Sequence, residues 1–357
     1  MLTRHARFSA IIPTWINFAR LPPRDPLLSR ELLPLIEEAA GRVYPFCVGT
    51  PLVRMPARSG VDEGPAFAKL EQLQTTGSFK LRGATNKIMS LRPEEAAAGV
   101  VTSSTGNHGL GVATAANLLG IDAEVFLSPQ VCSRKRDAIR ARGARIRIVG
   151  TDPLEAEVLA RAAARQSGRA YISPYNDPHV VSGQGTIAVE LIRQMPDLDA
   201  IFIATGGGGL LGGIGAYLRH AAPAAEIIGC WPQNSPVLYE CIKAGRIFDA
   251  PETATLSEST AGGVEPGSIT FDLCREVMHR GVLVSEDEIL RAMRFGTAQG
   301  WSVEGSSGVA LAAYFREARR YAGAKVVVLI CGGNPSPAIA ALLEPPATVP
   351  RAGDASI

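Results

Sequence analysis

The sequence is short of several features that assign a chain to a class at once. It has almost no net charge, because 36 Lys and Arg residues oppose 34 Asp and Glu residues, so no bulk field attracts nucleic acid or an anionic membrane. Its six cysteines form no CxxC pair, which argues against a zinc site or a disulfide scaffold and fits a reducing compartment. Pro13 and Arg20 leave the N-terminal apolar run too short for a signal or membrane helix. We therefore expect a cytoplasmic protein with no nucleic-acid or membrane partner.

What is present is a large globular chain with an alternating pattern. At 357 residues and 46% hydrophobic side chains, it is long enough for a large core and for more than one lobe. From about residue 99, short β-branched apolar runs alternate with segments of helical spacing, which is typical of parallel α/β architecture. The predicted strands are 99–102, 124–127, 145–149, 200–204, 226–230 and 325–330.

Three glycine-containing turns each follow a predicted strand. They read SSTGNHG at 103–109, TGGGG at 205–209 and CGGN at 331–334. In open α/β sheets the ligand lies beyond the carboxyl ends of the strands, so turns at those ends can converge on one crevice. Together these turns indicate a ligand site more strongly than any one of them.

The glycine run at 206–209 suits a phosphate. Without side chains it allows close approach, and its backbone N–H groups and the start of the next helix favour a dianion. A tight turn without a ligand is the plain alternative. Gly207, Gly209 and Gly212 also match the dinucleotide pattern GxGxxG, but Glu226 precedes the next apolar run, whereas a ribose-binding acid should end that strand. The Walker pattern is absent.

Lys80 lies in the segment TTGSFKLRGA at 75–84. Gly77 and Ser78 predict a turn and an N-cap, so Lys80 falls in the first turn of a helix. An amine there is disfavoured as a cation, and burial depresses its pKa further, as a Schiff-base lysine requires. Taken alone, a helical lysine is more often a solvated surface charge.

The four segments together resemble the cofactor loops of the fold-type II pyridoxal-phosphate enzymes, in particular the serine and threonine dehydratases. The resemblance runs in order from GTPL at 49–52 to Asn334 and covers most of the chain. It implies pyridoxal 5'-phosphate as cofactor and a two-lobed α/β fold like that of the tryptophan synthase β subunit, with parallel sheets and flanking helices.

The resemblance also implies roles for individual residues. Lys80 would carry the cofactor as a Schiff base, with Phe79 beside the pyridine ring, and Asn107 would bond the cofactor's 3' oxygen. Cys331, where the family usually has serine, would face the pyridine nitrogen, and Glu304 would lie near the ring or cap a helix start. The substrate carboxylate would lie on Ser104, Thr105, Gly106 and His108, and the phosphate on Gly206, Gly207, Gly208, Gly209 and Leu210.

Two departures from the family pattern restrict the expected chemistry. Family racemases have serine at the position of Thr105, which makes racemisation less favoured here. Relatives with a divalent-cation site begin the matching segment with Glu-Pro, whereas this chain reads WPQN at 231–234, so we expect no metal site.

The order of the segments predicts the domain boundaries. The SSTGNHG loop opens one series of strands and helices, and the glycine run opens the next. We expect an N-terminal extension (1–45) that packs on the core or mediates self-association, a large cofactor-binding domain (46–99 and 173–345), a small domain (100–172) and an irregular tail (346–357).

The function that the resemblance implies is α,β-elimination. A small β-hydroxy amino acid (L-threonine, L-serine or 3-hydroxyaspartate) would give a 2-oxo acid and ammonia, in a homodimer. A cysteine synthase-like β-replacement is the nearest alternative, although those enzymes usually read SGNTG where this chain has His108 after Asn107. An amino-acid racemase and, in a different class, a non-catalytic cofactor-binding regulator complete the alternatives.

Overall fold

The computed structural model describes residues 15–17, 27–56 and 65–344. Two sheets built mainly of parallel strands, each flanked by helices, make up this part of the chain. Its strands are β1 (Trp15–Asn17), β2 (Leu52–Arg54), β3 (Ala66–Leu70), β4 (Val100–Ser103), β5 (Ala123–Leu127), β6 (Arg145–Ile148), β7 (Ala170–Tyr171), β8 (Ala200–Ala204), β9 (Glu226–Pro232), β10 (Arg280–Val284) and β11 (Val326–Ile330).

The helices of the described residues alternate with these strands. Short 3-10 helices cover Glu71–Leu73 and Ala318–Tyr321. The α-helices are α1 (Leu27–Val43), α2 (Lys80–Met89), α3 (Pro93–Ala98), α4 (Asn107–Leu118), α5 (Ser133–Arg140), α6 (Pro153–Ser167), α7 (Pro178–Gln194), α8 (Gly209–Ala221), α9 (Val237–Ala244), α10 (Ile269–Val277), α11 (Glu286–Ala298), α12 (Gly305–Glu317) and α13 (Pro337–Leu343).

The larger sheet has seven strands in the order β1-β10-β9-β8-β11-β3-β2. All neighbours are parallel except the antiparallel edge strands β1 and β2. Every residue of β8, β10 and β11 is buried, because helices cover both faces of a parallel sheet. This burial explains the continuous apolar runs that the sequence shows at β8 and β11.

The smaller sheet has four parallel strands in the order β6-β5-β4-β7, all between residues 100 and 171. Its edge strand β6 is largely exposed. The domain boundaries themselves stay a prediction. The tail predicted at 346–357 lies outside the described residues, as do residues 1–14 and 18–26 of the extension.

The strands predicted from the sequence are present, with ends that differ by two residues or fewer. The pattern missed β1, β2, β3, β7 and β10. Of these, β1, β2 and β7 have three residues or fewer. The other two carry a charged side chain that is nevertheless buried, Lys69 in β3 and Arg280 in β10. Within the extension, α1 packs against α7 and α8, and its residues Leu32 and Ile36 are buried in the larger hydrophobic core.

Candidate active site

The lysine segment and the last glycine segment are hydrogen-bonded to each other. The backbone N–H of Phe79 donates to the Cys331 carbonyl at 3.1 Å, and that of Gly333 donates to the Gly77 carbonyl at 2.9 Å. Gly77 has a φ of +71°, a left-handed conformation that favours glycine. These bonds fix the start of α2 against the end of β11.

The prediction that Ser78 is the N-cap of α2 is wrong. The N-cap is Phe79, and no side chain caps this helix. Ser78 instead forms a β-bridge with Gly332, so the last glycine segment holds its backbone. Its buried Oγ has no hydrogen-bond partner in the described structure.

Lys80 is the first residue of α2 and lies in a desolvated setting. Its Nζ donates to the carbonyl of Pro174 at 2.9 Å and lies 5.1 Å from the centre of the Phe79 ring. Burial lowers the pKa of Lys80 to about 8, although the nearby Cys331 and Glu304 oppose that shift. An amine in this range exchanges protons readily near neutral pH.

A cavity of about 780 Å³ opens beside Lys80. It brings together all the residues predicted to bind the substrate, along with the lysine and two further predicted side chains. Phe79, Cys331 and residues 206–210 do not line it. The predicted residues that do are Lys80, Ser104, Thr105, Gly106, Asn107, His108 and Glu304.

Glu304 joins both sides of this cavity. Its carboxylate accepts from Asn107 Nδ2 at 2.8 and 3.0 Å, and from the backbone N–H of Asn334 at 3.2 Å. The hydroxyls of Ser259 and Ser306 also donate to it, at 2.9 and 2.8 Å. Glu304 occupies the N-cap position of α12, as the capping alternative predicts, but its side chain makes no capping hydrogen bond. Its neighbours in the described structure are neutral donors.

Cys331 reaches the Glu304 cluster through Ser306. Its Sγ lies 3.2 Å from Ser306 Oγ, whose proton is donated to Glu304. The thiol is therefore the donor in the contact with Ser306. Burial raises the pKa of Cys331 to about 12, so the sulfur stays protonated at physiological pH.

The loop 104–108 supplies backbone donors and a neutral imidazole. Gly106 is the N-cap residue of α4, so the first N–H groups of that helix have no partner within it. His108 Nε2 lies 3.0 Å from the Ile172 carbonyl and donates to it. Burial lowers the pKa of His108 to about 3. Its unprotonated Nδ1 is buried and has no partner in the described structure.

The glycine run lies between β8 and α8. Gly208 has a φ of +87°, and a Cβ on Gly207 would lie 2.5 Å from the Tyr175 ring. Close packing and backbone conformation therefore explain part of the need for glycine in this run, in addition to phosphate binding. No hydrogen bond within the described structure uses the backbone N–H groups of residues 206–210, so these groups remain able to bind an anion.

A buried charge network under α2 was not predicted. Arg82 donates to both oxygens of Glu71 at 2.8 Å and to Glu190 at 2.7 Å. Lys69 contacts Glu190 at 2.6 Å. Although burial raises the pKa of Glu71, Arg82 holds it below its ordinary value. Only the neighbouring strand, 3-10 helix and α7 bring these residues together, and their spacing in the sequence gives no signal of it.

Most of this chain matches the model of a known enzyme family. Residues 43–332 match the family model described as "Pyridoxal-phosphate dependent enzyme". The chain belongs to this family. It is 36% identical over 300 residues to an L-threonine ammonia-lyase of Thermotoga maritima, covering 84% of this chain and 74% of the relative.

Solved structures of family members are also similar. The processed form of threonine deaminase isoform 2 from Solanum lycopersicum is 30% identical, with a TM-score of 0.82 over 90% of this chain and 94% of that one. Serine racemase from Dictyostelium discoideum is 32% identical, with a TM-score of 0.79 over 85% and 98% of the two chains. The fold is therefore that of the fold-type II pyridoxal-phosphate enzymes.

The residues of this chain fit the family's cofactor, pyridoxal 5'-phosphate. A buried amine of lowered pKa, Lys80, has only a neutral carbonyl as partner. Buried polar atoms of Ser78 and His108 have no partner in the described structure. The free N–H groups at 206–210 suit the phosphate. As for a metal, the described residues contain no group of three or more His, Cys, Asp or Glu able to hold one, and the expectation of none stays a prediction.

Proposed function

We propose that this enzyme removes water from a small β-hydroxy amino acid, and that hydrolysis of the dehydrated product then releases ammonia and a 2-oxo acid. The observation that carries the proposal is the position of Lys80. This buried amine with a pKa of about 8 lines the same cavity as the whole loop 104–108. The names of similar enzymes, threonine ammonia-lyase and threonine deaminase, support the same reaction.

Lys80 would hold the cofactor through Nζ, with Phe79 beside it. The N–H groups of Gly206, Gly207, Gly208, Gly209 and Leu210 would hold the phosphate, and Asn107 and Cys331 would contact the ring. When bound, the cofactor supplies an electron sink for the pair released at the substrate's α-carbon. Since Cys331 is a neutral thiol, it cannot stabilise a protonated ring nitrogen as an aspartate would, which favours elimination over a long-lived carbanion.

Lys80 is also the proposed general base, for the stage at which the substrate's amino group would have replaced Nζ on the cofactor and left it free. The free Nζ has a lowered pKa of about 8 and one neutral hydrogen-bond acceptor, so about half of it is neutral near pH 8 and could accept the α-proton. His108 cannot take this role, because its pKa of about 3 leaves a very weak base. The described cavity offers no other amine as deeply buried.

The substrate's α-carboxylate is proposed to lie on residues 104–108. The first turn of α4 directs its N–H groups to this loop, and a helix start favours an anion. Ser104 Oγ accepts from the Gly106 N–H at 3.2 Å, which orders the loop before substrate arrives. Binding the carboxylate here would orient the α-carbon in the cavity.

A racemase is the second candidate, because a serine racemase is among the similar solved structures. The observation against it is Thr105, which lines the cavity where family racemases have serine. We propose elimination as the main reaction.

Purified enzyme loaded with cofactor should release 2-oxo acid and ammonia from at least one of L-threonine, L-serine and 3-hydroxyaspartate. Chiral chromatography of recovered L-serine measures racemisation in the same reactions. Formation of D-serine without 2-oxo acid would show that the enzyme is a racemase. A yellow protein that forms neither product would favour the non-catalytic cofactor-binding regulator.

The domain boundaries, the oligomeric state and the cellular location are predictions from the sequence, and we propose them unchanged. We propose a small lobe at 100–172, a homodimer and a cytoplasmic location. Limited proteolysis tests the lobe boundaries, and light scattering tests the dimer. The described residues contain no helix long and apolar enough to cross a membrane.

A further inference from the structure

Two basic side chains of α5 line the mouth of the active-site cavity, Arg134 and Lys135. Lys135 Nζ lies 3.5 Å from the carboxylate of Glu258, which lines the cavity as well. Arg134 donates Nη2 to the neutral carbonyl of Pro335 at 2.7 Å. Within residues 27–56 and 65–344, no carboxylate lies within 4.0 Å of the Arg134 guanidinium. Its charge is therefore not balanced by the described residues.

The other acid that lines the cavity forms no ion pair with Arg134 in the described structure. Glu304 is 5% exposed, and its oxygens already accept from Asn107, Ser259 and Ser306. Lys135 and Glu258 cancel each other in charge. A substrate that enters with its α-carboxylate on residues 104–108 therefore meets the unpaired positive charge of Arg134 at the cavity mouth.

We propose that Arg134 selects a substrate with a second carboxylate on the β-carbon, the 3-hydroxyaspartate class, over L-threonine and L-serine. This inference rests on the proposed function. Besides its hydroxyl, the β-carbon of threonine carries a methyl group and that of serine only hydrogen, so neither gives a guanidinium an anionic partner. A carboxylate does, and the planar guanidinium can bond both of its oxygens.

The cavity also has an apolar side that threonine could use. Ile139 and Leu256 line it and would pack against a methyl group. Removing one methyl contact changes specificity by about 10- to 200-fold. Loss of a hydrogen bond to a charged group changes it by about ten- to a hundredfold. The two contributions are of similar size, and the unpaired charge of the exposed Arg134 is what favours a carboxylate over a methyl group.

The direct test compares kcat/KM for L-threo-3-hydroxyaspartate, L-threonine and L-serine in cofactor-loaded enzyme and in Arg134→Gln. Glutamine keeps a donor for the Pro335 carbonyl and removes the charge. We expect the unmodified enzyme to favour 3-hydroxyaspartate over threonine by about tenfold or more. Arg134→Gln should lower kcat/KM for 3-hydroxyaspartate by about ten- to a hundredfold and change that for threonine less than about threefold.

Arg136→Gln is the matched control. Arg136 lies on the same helix, donates to Asp137 at 3.1 Å and does not line the cavity. Its replacement should therefore leave kcat/KM unchanged for all three substrates. Equal loss for all substrates in Arg134→Gln, or a threonine preference in the unmodified enzyme, would overturn the inference.

A binding measurement separates this inference from the proposed reaction. L-Aspartate and L-2-aminobutyrate match the two substrate types but carry no β-hydroxyl, so they bind without losing water. Their dissociation constants, from the change in cofactor absorbance, should favour aspartate in the unmodified enzyme and lose that preference in Arg134→Gln. If the enzyme forms no 2-oxo acid from any β-hydroxy amino acid but binds aspartate preferentially through Arg134, the proposed reaction fails and this inference stands. If elimination proceeds and the two probes bind equally, the inference fails alone.

Discussion

Buried carboxylates occur in two clusters, two under α2 and one beside the cavity, and the two clusters differ in how the negative charge is balanced. Under α2, Glu71 and Glu190 pair with Arg82 and Lys69 at 2.6 to 2.8 Å. Beside the cavity, the described partners of Glu304 are amide, hydroxyl and backbone N–H donors, and none is a cation.

The lower cluster therefore acts as a structural framework, whereas Glu304 acts on Lys80 through its electrostatic field. Two cations cancel two carboxylates in the lower cluster, so it fixes β3, α2 and α7 together and adds little potential at Lys80. Glu304 keeps an uncancelled charge, and that charge raises the pKa of Lys80 against the effect of burial. Loss of a lower-cluster carboxylate should therefore affect stability most, and loss of Glu304 should affect the lysine most.

The largest effect is expected at the lysine between the clusters. Lys80→Ala should remove the yellow absorbance of the bound cofactor and lower kcat by at least about 10³-fold, because the anchor and the general base are lost together. Borohydride reduction and peptide mapping of the unmodified enzyme should label Lys80. Label on Lys69, the buried lysine of the lower cluster, would end the assignment.

The next largest effect breaks the lower cluster. Glu190→Gln leaves the cations Arg82 and Lys69 with one carboxylate between them, and an unpaired buried charge costs about 3–5 kcal/mol. Urea unfolding should show this loss in the free energy of unfolding. Glu38→Gln, at an exposed pair with Arg42, is the control and should cost less than about 1 kcal/mol. Equal losses in the two variants would contradict the framework role.

Glu304→Gln should act on titration instead. Since the Glu304 charge raises the pKa of Lys80, its removal should lower that pKa below about 8. In cofactor-free protein, the rate of Lys80 acetylation followed by mass spectrometry should reach its plateau at a lower pH than in the unmodified protein. Glu190→Gln should leave this pH profile in place. An upward shift in Glu304→Gln would show that the carboxylate does not act on Lys80 through its charge.

The smallest effect is expected for Cys331→Ser, because a hydroxyl carries one proton, as the thiol does, and can donate it either to Ser306 or, with cofactor bound, to an unprotonated ring nitrogen. Its elimination rate should stay within about tenfold of the unmodified enzyme. Cys331→Asp should favour a protonated nitrogen and shift the partition from elimination to α-proton exchange, measured as solvent deuterium in recovered substrate. An inactive serine variant with an unaffected aspartate variant would show that Cys331 does not face the ring.

The sequence alone was sufficient for the features that local pattern determines. β-Branched runs located β8, β9 and β11, because buried parallel strands are apolar throughout. The motif order led to the family and to pyridoxal 5'-phosphate, which the comparisons confirm. It also proposed Lys80, Asn107 and Glu304, which the structure places together around one cavity, although their roles remain proposals.

Tertiary structure decided the features that depend on distant partners. Ser78 reads as a helix cap, but its backbone bridges to Gly332, more than 250 residues away in the chain. Lys69 interrupts the apolar sequence of β3, which the pattern missed, and it is buried with its Nζ 2.6 Å from Glu190. The sequence does not show that Arg134 faces the cavity, which follows only from the position of α5 in the folded chain. Spacing along the chain determines local conformation, whereas the sheet order determines which charges meet, and that is where specificity and the pKa of Lys80 are set.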